Sequence, residues 1–287
     1  MTITHTNCHP ETLSDLQLDE SSGNNSDIRL LVINLMPNKQ RAEQQLLQIF
    51  HSLPVDIRVT FAYIDNPESV NPAYYACQSY YVPADNVNPE QFDGLIITGA
   101  PLEHLDYEEV RYISTLRRLT DRLQAIPYRL FICWGALFAL HHYYGIEKKL
   151  LPQKLSGIYP YYITQEHPLT EGLVPFYQVP QSRHATVELD TQSEVIVLSF
   201  NDELGPDIIS TSDSHDTFLL GHLEYDTDTL KEEYSRDSQK NNAYIPAHYF
   251  PDNLPSNQPV NQWSHHARQF YMNWLTLIVK HKNEQTG

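Results

Sequence analysis

Four groups of residues in this 287-residue chain have types and spacings that can do chemistry. The first is Cys133 in "FICWGALFAL", at the point where an aliphatic run turns into a helical pattern. A thiol there would sit at the positive end of a helix, which favours the nucleophilic thiolate. Gly135 permits a close backbone approach in the turn, and the Trp134 amide can donate to an oxyanion. Taken alone, a strand-end cysteine is more often a buried core thiol. The second group is His222 and Glu224 in "LLGHLEYD". Period-two spacing points both side chains the same way, so the carboxylate can orient the imidazole as a general base. A bare H-x-E also suits a solvated strand end, and it is the combination of Cys, His and Glu at successive strand ends that suggests one site.

The third group is "TGAPLEHLDYEEV", a glycine turn whose amides around Leu102 can complete an oxyanion hole, with Glu103 and His104 beside it. Its ordinary reading is a strand-to-helix turn with Glu103 as a solvated charge. "LPQKLSGIYP", "VPQSRHATV" and "EEYSRD" add Lys154, Ser182, Arg183 and Arg236 as anchors for a carboxylate or phosphate, although each reads singly as surface. The pairs His141/His142 and His265/His266 lack i, i+4 partners, so no metal site is expected.

The elements that must position these residues alternate strand and helix. "IRLLVINL" reads as a strand buried on both faces, followed by a helix capped by Asn38 with Ala42, Leu46, Ile49 and Leu53 on one stripe. "VDIRVTFAYI", "FDGLIITGAP" and "YRLFIC" are further strands, and "ALFALHHYYGI" is a helix stopped by Gly145. The later half offers short strands in "SEVIVLSF" and "DTFLLGH", a charged helix in "DTLKEEYSRDSQ" and a C-terminal amphipathic helix. The expected class is α/β, a mostly parallel sheet flanked by helices, with ligands at the carboxyl ends of the strands. Residues 1–26 read as a polar tail and residues 27–287 as a single domain.

A net charge of -17 argues against nucleic-acid or anionic-membrane partners. The cysteines, Cys8, Cys77 and Cys133, lack any CxxC spacing, and no apolar run approaches membrane-spanning length. These features give the expectation of a soluble cytoplasmic protein.

The motifs together resemble the homoserine O-acetyltransferase/O-succinyltransferase family, whose fold is like that of class I glutamine amidotransferases. The matching stretches include "VINLMPNK", "FDGLIITGAPLEHLDYEEV", "ICWGA", "YGIEKKLLPQKLSG", "VPQSR" and "GHLEYDTDTLKEEYSRD". The resemblance implies ping-pong acyl transfer: Cys133 takes the acyl group, and His222, oriented by Glu224, acts as base on the acceptor hydroxyl. Leu102 and Trp134 would supply the oxyanion-hole amides, and Lys154, Ser182 and Arg236 would bind the amino-acid acceptor. Glu103 matches the position that sorts acyl donors, and a carboxylate there repels a succinyl group. Acetyl-CoA is the implied co-substrate, with no permanently bound cofactor, small-molecule partners and a homodimer. The chain departs from the family pattern at Leu137, Gln181, His184 and Leu223, and L-serine and L-homoserine stand as equal alternatives for the acceptor. Glutamine amide hydrolysis is the rival chemistry, disfavoured by Phe131 where those enzymes carry glycine.

Overall fold

The structure, a computed structural model, describes residues 3–16, 28–66, 68–190, 193–239 and 244–286. The first half runs β1 (Ile3–Thr6), α1 (Pro10–Leu16), β2 (Ile28–Ile33), α2 (Lys39–His51), β3 (Ile57–Tyr63), α3 (Pro72–Cys77), β4 (Val82–Pro83), β5 (Gly94–Ile97), α4 (Ile113–Leu123), β6 (Tyr128–Ile132) and α5 (Trp134–Tyr144). A long hairpin follows, β7 (Lys148–Ile163) and β8 (Phe176–Val187), and then short strands β9 (Val195–Val197), β10 (Ser199–Asn201), β11 (Gly205–Pro206), β12 (Ile208–Thr211) and β13 (Asp216–Leu219). Helices α6 (Thr229–Ser238) and α7 (Ser264–Thr286) complete the chain.

The main sheet has the order β1-β3-β2-β5-β6-β13-β12-β9, and only β12 runs against its neighbours. Strands β5 and β6 are buried at every residue and β2 at all but one, which requires cover on both faces. On one side Leu46, Leu47 and Phe50 of α2 join Trp274 and Ile278 of α7, and on the other Leu116 and Leu119 of α4 join Phe138 of α5. The parallel register aligns Ile33, Ile97 and Phe131 across neighbouring strands, and pairs Leu219 with Ile132. The segments leaving β2, β5, β6 and β13 therefore emerge side by side at one edge. The expected α/β class and mostly parallel sheet are what the chain adopts.

Several local expectations differ. Residues 3–16, assigned to a polar tail, form β1 and α1. Ile3 and Cys8 are buried, and the Asn7 side chain bonds both the Phe61 N–H and the Phe61 carbonyl, so polar side chains here complete a sheet edge. Residues 17–26 of that assignment lie outside the described residues. "SEVIVLSF" is divided at Leu198 between two sheets, β9 joining the parallel sheet and β10 a separate antiparallel sheet ordered β11-β10-β7-β8. That second sheet was not foreseen, because the alternation in β7 is broken by polar and proline residues. Among the described residues no helix is long and apolar enough to cross a membrane.

Candidate active site

Cys133 stands between β6 and α5 with φ 51° and ψ -116°. A non-glycine residue in this region carries about 1–3 kcal/mol of strain, which the surrounding packing must hold. Its N–H donates to the Leu219 carbonyl at 2.7 Å, while the chain turns directly into α5. Gly135 makes that turn possible: a Cβ there would lie 2.7 Å from the Thr98 carbonyl oxygen and 2.8 Å from that of Ile97. The first turn of α5 thus packs on the backbone leaving β5, and the thiol is raised at the sheet edge.

His222 arrives from β13. Its N–H donates to the Pro180 carbonyl at 2.9 Å, and the preceding Gly221 N–H donates to the buried Asp207 at 2.8 Å. A Cβ at Gly221 would meet Gln181 and Val179 side-chain atoms at 2.5 Å, so this approach also needs glycine. The imidazole is buried, with Nδ1 2.6 Å from Glu224 Oε1. Burial opposes its charged form, but the Glu224 carboxylate and the adjacent Cys133, with which it also hydrogen-bonds, outweigh that and hold the His222 pKa well above the usual value. Tyr225 stacks on His222 with ring centroids 4.2 Å apart, which fixes the ring plane.

Cys133 and His222 line one cavity of about 420 Å³ with Glu103, Lys154, Ser182 and Arg236. The sequence-derived side chains for nucleophile, base, donor sorting and acceptor binding thus converge, and Glu224 reaches the site through His222. Glu103 is buried, not solvated, and burial pushes its carboxyl pKa up, against hydrogen bonding from its own amide and that of His184. Trp134 opens α5, where first-turn N–H groups have no intrahelical acceptor. Leu102 differs from expectation: its N–H is turned onto the Ala100 carbonyl at 2.9 Å, so this amide is already engaged.

The Lys154 side of the cavity contains groups that the motif reading overlooked. Lys154 Nζ lies 3.1 Å from Glu233 Oε2 and 2.9 Å from Asp237 Oδ2. Ser182 donates to the same Glu233 carboxylate, and Tyr225 donates to its other oxygen at 2.8 Å. Burial works against the charge on Glu233, but Lys154 and these hydroxyls outweigh it and hold the carboxyl below its usual range. The signal was present in "EEYSRD": Glu233, Arg236 and Asp237 fall at i, i+3 and i+4 on α6, one face of one helix. Arg236 itself is more than half exposed and bonds Asp237 through Nε. Arg183, offered by sequence as an anchor, is instead buried under β8, bonding Gln181 and the carbonyls of Ala185 and Leu204. Of the four departures from the family pattern, only His184 lines the cavity; Leu137, Gln181 and Leu223 are buried and form no part of its lining.

The sequence profile of the Homoserine O-succinyltransferase family matches residues 13–285. A homoserine O-acetyltransferase of Bacillus licheniformis is 39% identical over 271 residues, covering 91% of this chain and 90% of that protein. Homoserine O-acetyltransferases of Bacillus subtilis and Thermotoga neapolitana are each 37% identical, covering 91% and 92% of this chain and 90% of each relative. Among solved structures, a glutamine amidotransferase of Thermotoga maritima superposes with a TM-score of 0.61 at 12% identity, over 88% of this chain and 98% of that one. That likeness shows the class I glutamine amidotransferase-like fold. Identity above one third across nine-tenths of both proteins, joined to the family profile, decides the kinship: this chain belongs to the homoserine O-succinyltransferase family and is an acyltransferase.

Proposed function

We propose that the protein transfers the acetyl group of acetyl-CoA to the side-chain hydroxyl of L-homoserine, for methionine synthesis, through an acetyl-Cys133 intermediate. The observation that carries this reading is the buried relay of Cys133, His222 and Glu224 opening into one cavity with Glu103 and Lys154. In the first half-reaction the Cys133 thiolate attacks the thioester carbonyl, and the oxyanion meets the Trp134 amide. The CoA thiolate leaves and takes the proton held by the His222 imidazolium. In the second, neutral His222 accepts the acceptor hydroxyl proton as that oxygen attacks the acetyl-cysteine, and the Cys133 thiolate is expelled beside the re-formed imidazolium. Glu224 keeps Nδ1 engaged throughout, so the ring presents its other nitrogen to the reacting atoms.

Lys154, Ser182 and Arg236 are the binding groups for the amino-acid end of the acceptor, with Glu233 and Asp237 setting their orientation. Glu103 supports an acetyl over a succinyl donor, because a second carboxylate in this buried pocket would be strongly disfavoured. The relatives' names favour L-homoserine, and of the four departures from the family pattern only His184 lines the cavity. The family resemblance further supports a homodimer acting in the cytoplasm.

Thiol release from acetyl-CoA, measured with L-homoserine and L-serine, tests the reading. Turnover with L-homoserine and an acetyl adduct found by intact mass and lost in Cys133→Ala are expected. Serine turned over at far higher kcat/KM would reassign the acceptor. Ammonia released from glutamine, with no thiol from acetyl-CoA, would refute acyl transfer. Phe131, stacked on Phe218 at 5.4 Å, fills the place of the glycine expected for that rival chemistry.

A further inference from the structure

A second cavity, of about 260 Å³, adjoins the catalytic one and shares Met36, Pro37, Ala100 and Pro101 with it. It lies at the same carboxyl edge, beneath the segments that leave β2, β3 and β5. From β6, which Cys133 directly follows, the strand order runs across β5 and β2 to β3, three inter-strand steps or about 14 Å. Its walls combine apolar surface from Leu35, Ile64 and Pro101 with polar groups left without a partner. The hydroxyls of Tyr63 and Tyr112 and the side-chain amide of Asn66 make no hydrogen bond among the described residues. Asn71, by contrast, is fixed by its bond to the Pro37 carbonyl at 2.9 Å, which ties the far wall to the shared one. At the outer rim Arg111, beside Tyr112, bonds the Glu68 carbonyl at 3.0 Å and faces the Glu68 carboxylate at 3.9 Å, with both side chains well exposed. So exposed a pair is held by little free energy, and the guanidinium can turn to a stronger anion.

We propose that this cleft seats the pantetheine arm of the acyl-thioester donor, with Arg111 meeting the diphosphate of its nucleotide end. A narrow trough of methylene-sized apolar wall with spaced hydroxyl and amide groups suits a chain that alternates methylenes and amides. It joins the catalytic cavity at Met36, Pro37, Ala100 and Pro101, a wall that Lys154, Ser182 and Glu233 do not share. Donor and acceptor thus approach the thiol from different sides. The inference rests on the acyl-transfer reading above.

The test compares acetyl-CoA with acetyl-pantetheine, which lacks the nucleotide, on the full chain. Arg111→Glu should lower kcat/KM for acetyl-CoA about tenfold more than for acetyl-pantetheine. Ser69→Trp, which fills the cleft from a half-buried loop position, should lower kcat/KM about tenfold for both donors. Its KM for the amino-acid acceptor should stay the same. Unchanged thermal unfolding and unchanged alkylation of Cys133 by iodoacetamide show that each variant remains folded at the site. If both variants keep the wild-type kcat/KM for both donors, the cleft is not the donor subsite, while acyl transfer stands. If the wild-type protein releases no thiol from either donor, the acyl-transfer reading fails and the subsite with it.

Discussion

Lys154 of β7 meets Glu233 of α6 at 3.1 Å, with both side chains largely buried. This pair ties the antiparallel hairpin to the helix that follows the His222 segment, and so fixes the Lys154 side of the cavity relative to Cys133 and His222. Neither residue is near the other in sequence, and the pair exists only because β7 crosses the mouth of the parallel sheet.

Removing the carboxylate therefore damages binding more than chemistry. Glu233→Ala leaves Lys154 with Asp237 alone and Ser182 and Tyr225 without their acceptor. A loss of about 2–3 kcal/mol in stability is expected. The KM for the amino-acid acceptor should rise by about tenfold or more, while the burst of Cys133 acetylation by acetyl-CoA is kept. Steady-state and single-turnover kinetics separate the two, and loss of the burst with an unchanged acceptor KM would contradict this assignment.

The His222–Glu224 pair gives a pH signature. Glu224 and Cys133 together overcome the effect of burial and raise the folded pKa of His222 above its unfolded value of about 6.5. The folded state then holds the proton more tightly, so this contribution to stability is complete below about pH 6.5 and is lost as pH rises through the folded pKa. Glu224→Gln removes the largest supporting charge. In urea unfolding between about pH 6 and pH 9, the stability difference between wild type and Glu224→Gln should be largest at the acidic end and shrink with rising pH. A difference constant across that range would count against the pair.

Donor choice should follow Glu103. Two carboxylates about 4 Å apart repel by about 4 kcal/mol at an effective dielectric of about 20, so an ionised Glu103 would disfavour a succinyl donor. Glu103→Gly should raise kcat/KM for succinyl-CoA relative to acetyl-CoA by about tenfold or more. A ratio that does not move would show that this position does not sort donors here.

Gly135→Ala tests the elbow. The new methyl would meet the backbone carbonyls of Thr98 and Ile97 at 2.7 and 2.8 Å, and a backbone cannot yield as a side chain can. The expected cost is about 1–3 kcal/mol, with α5 and the Cys133 thiol displaced. Thermal unfolding and the rate of Cys133 alkylation measure both effects; a variant as stable and as reactive as wild type would show that the close approach is dispensable.

The sequence by itself determined the parallel core and singled out Cys133, His222 and Glu224 as residues that the fold could bring together. Nearly continuous aliphatic runs such as "IRLLVINL" suit burial on both faces, and the change of period at Cys133 marks the elbow. It also carried the family motifs from which Glu103, Lys154, Ser182 and Arg236 were read. Tertiary structure decided what depends on contacts between distant segments. The hairpin of β7 and β8 carries polar and proline residues that break a two-residue period, so its path was hidden until pairing with β10 revealed it. The same hairpin buries Arg183 and brings Lys154 and Ser182 to Glu233. Register between parallel strands set Cys133 beside His222, and a local turn at Ala100 engaged the Leu102 amide. Spacing along a chain reports the face on which a side chain lies, whereas the partner that neutralises it comes from wherever the fold returns the chain.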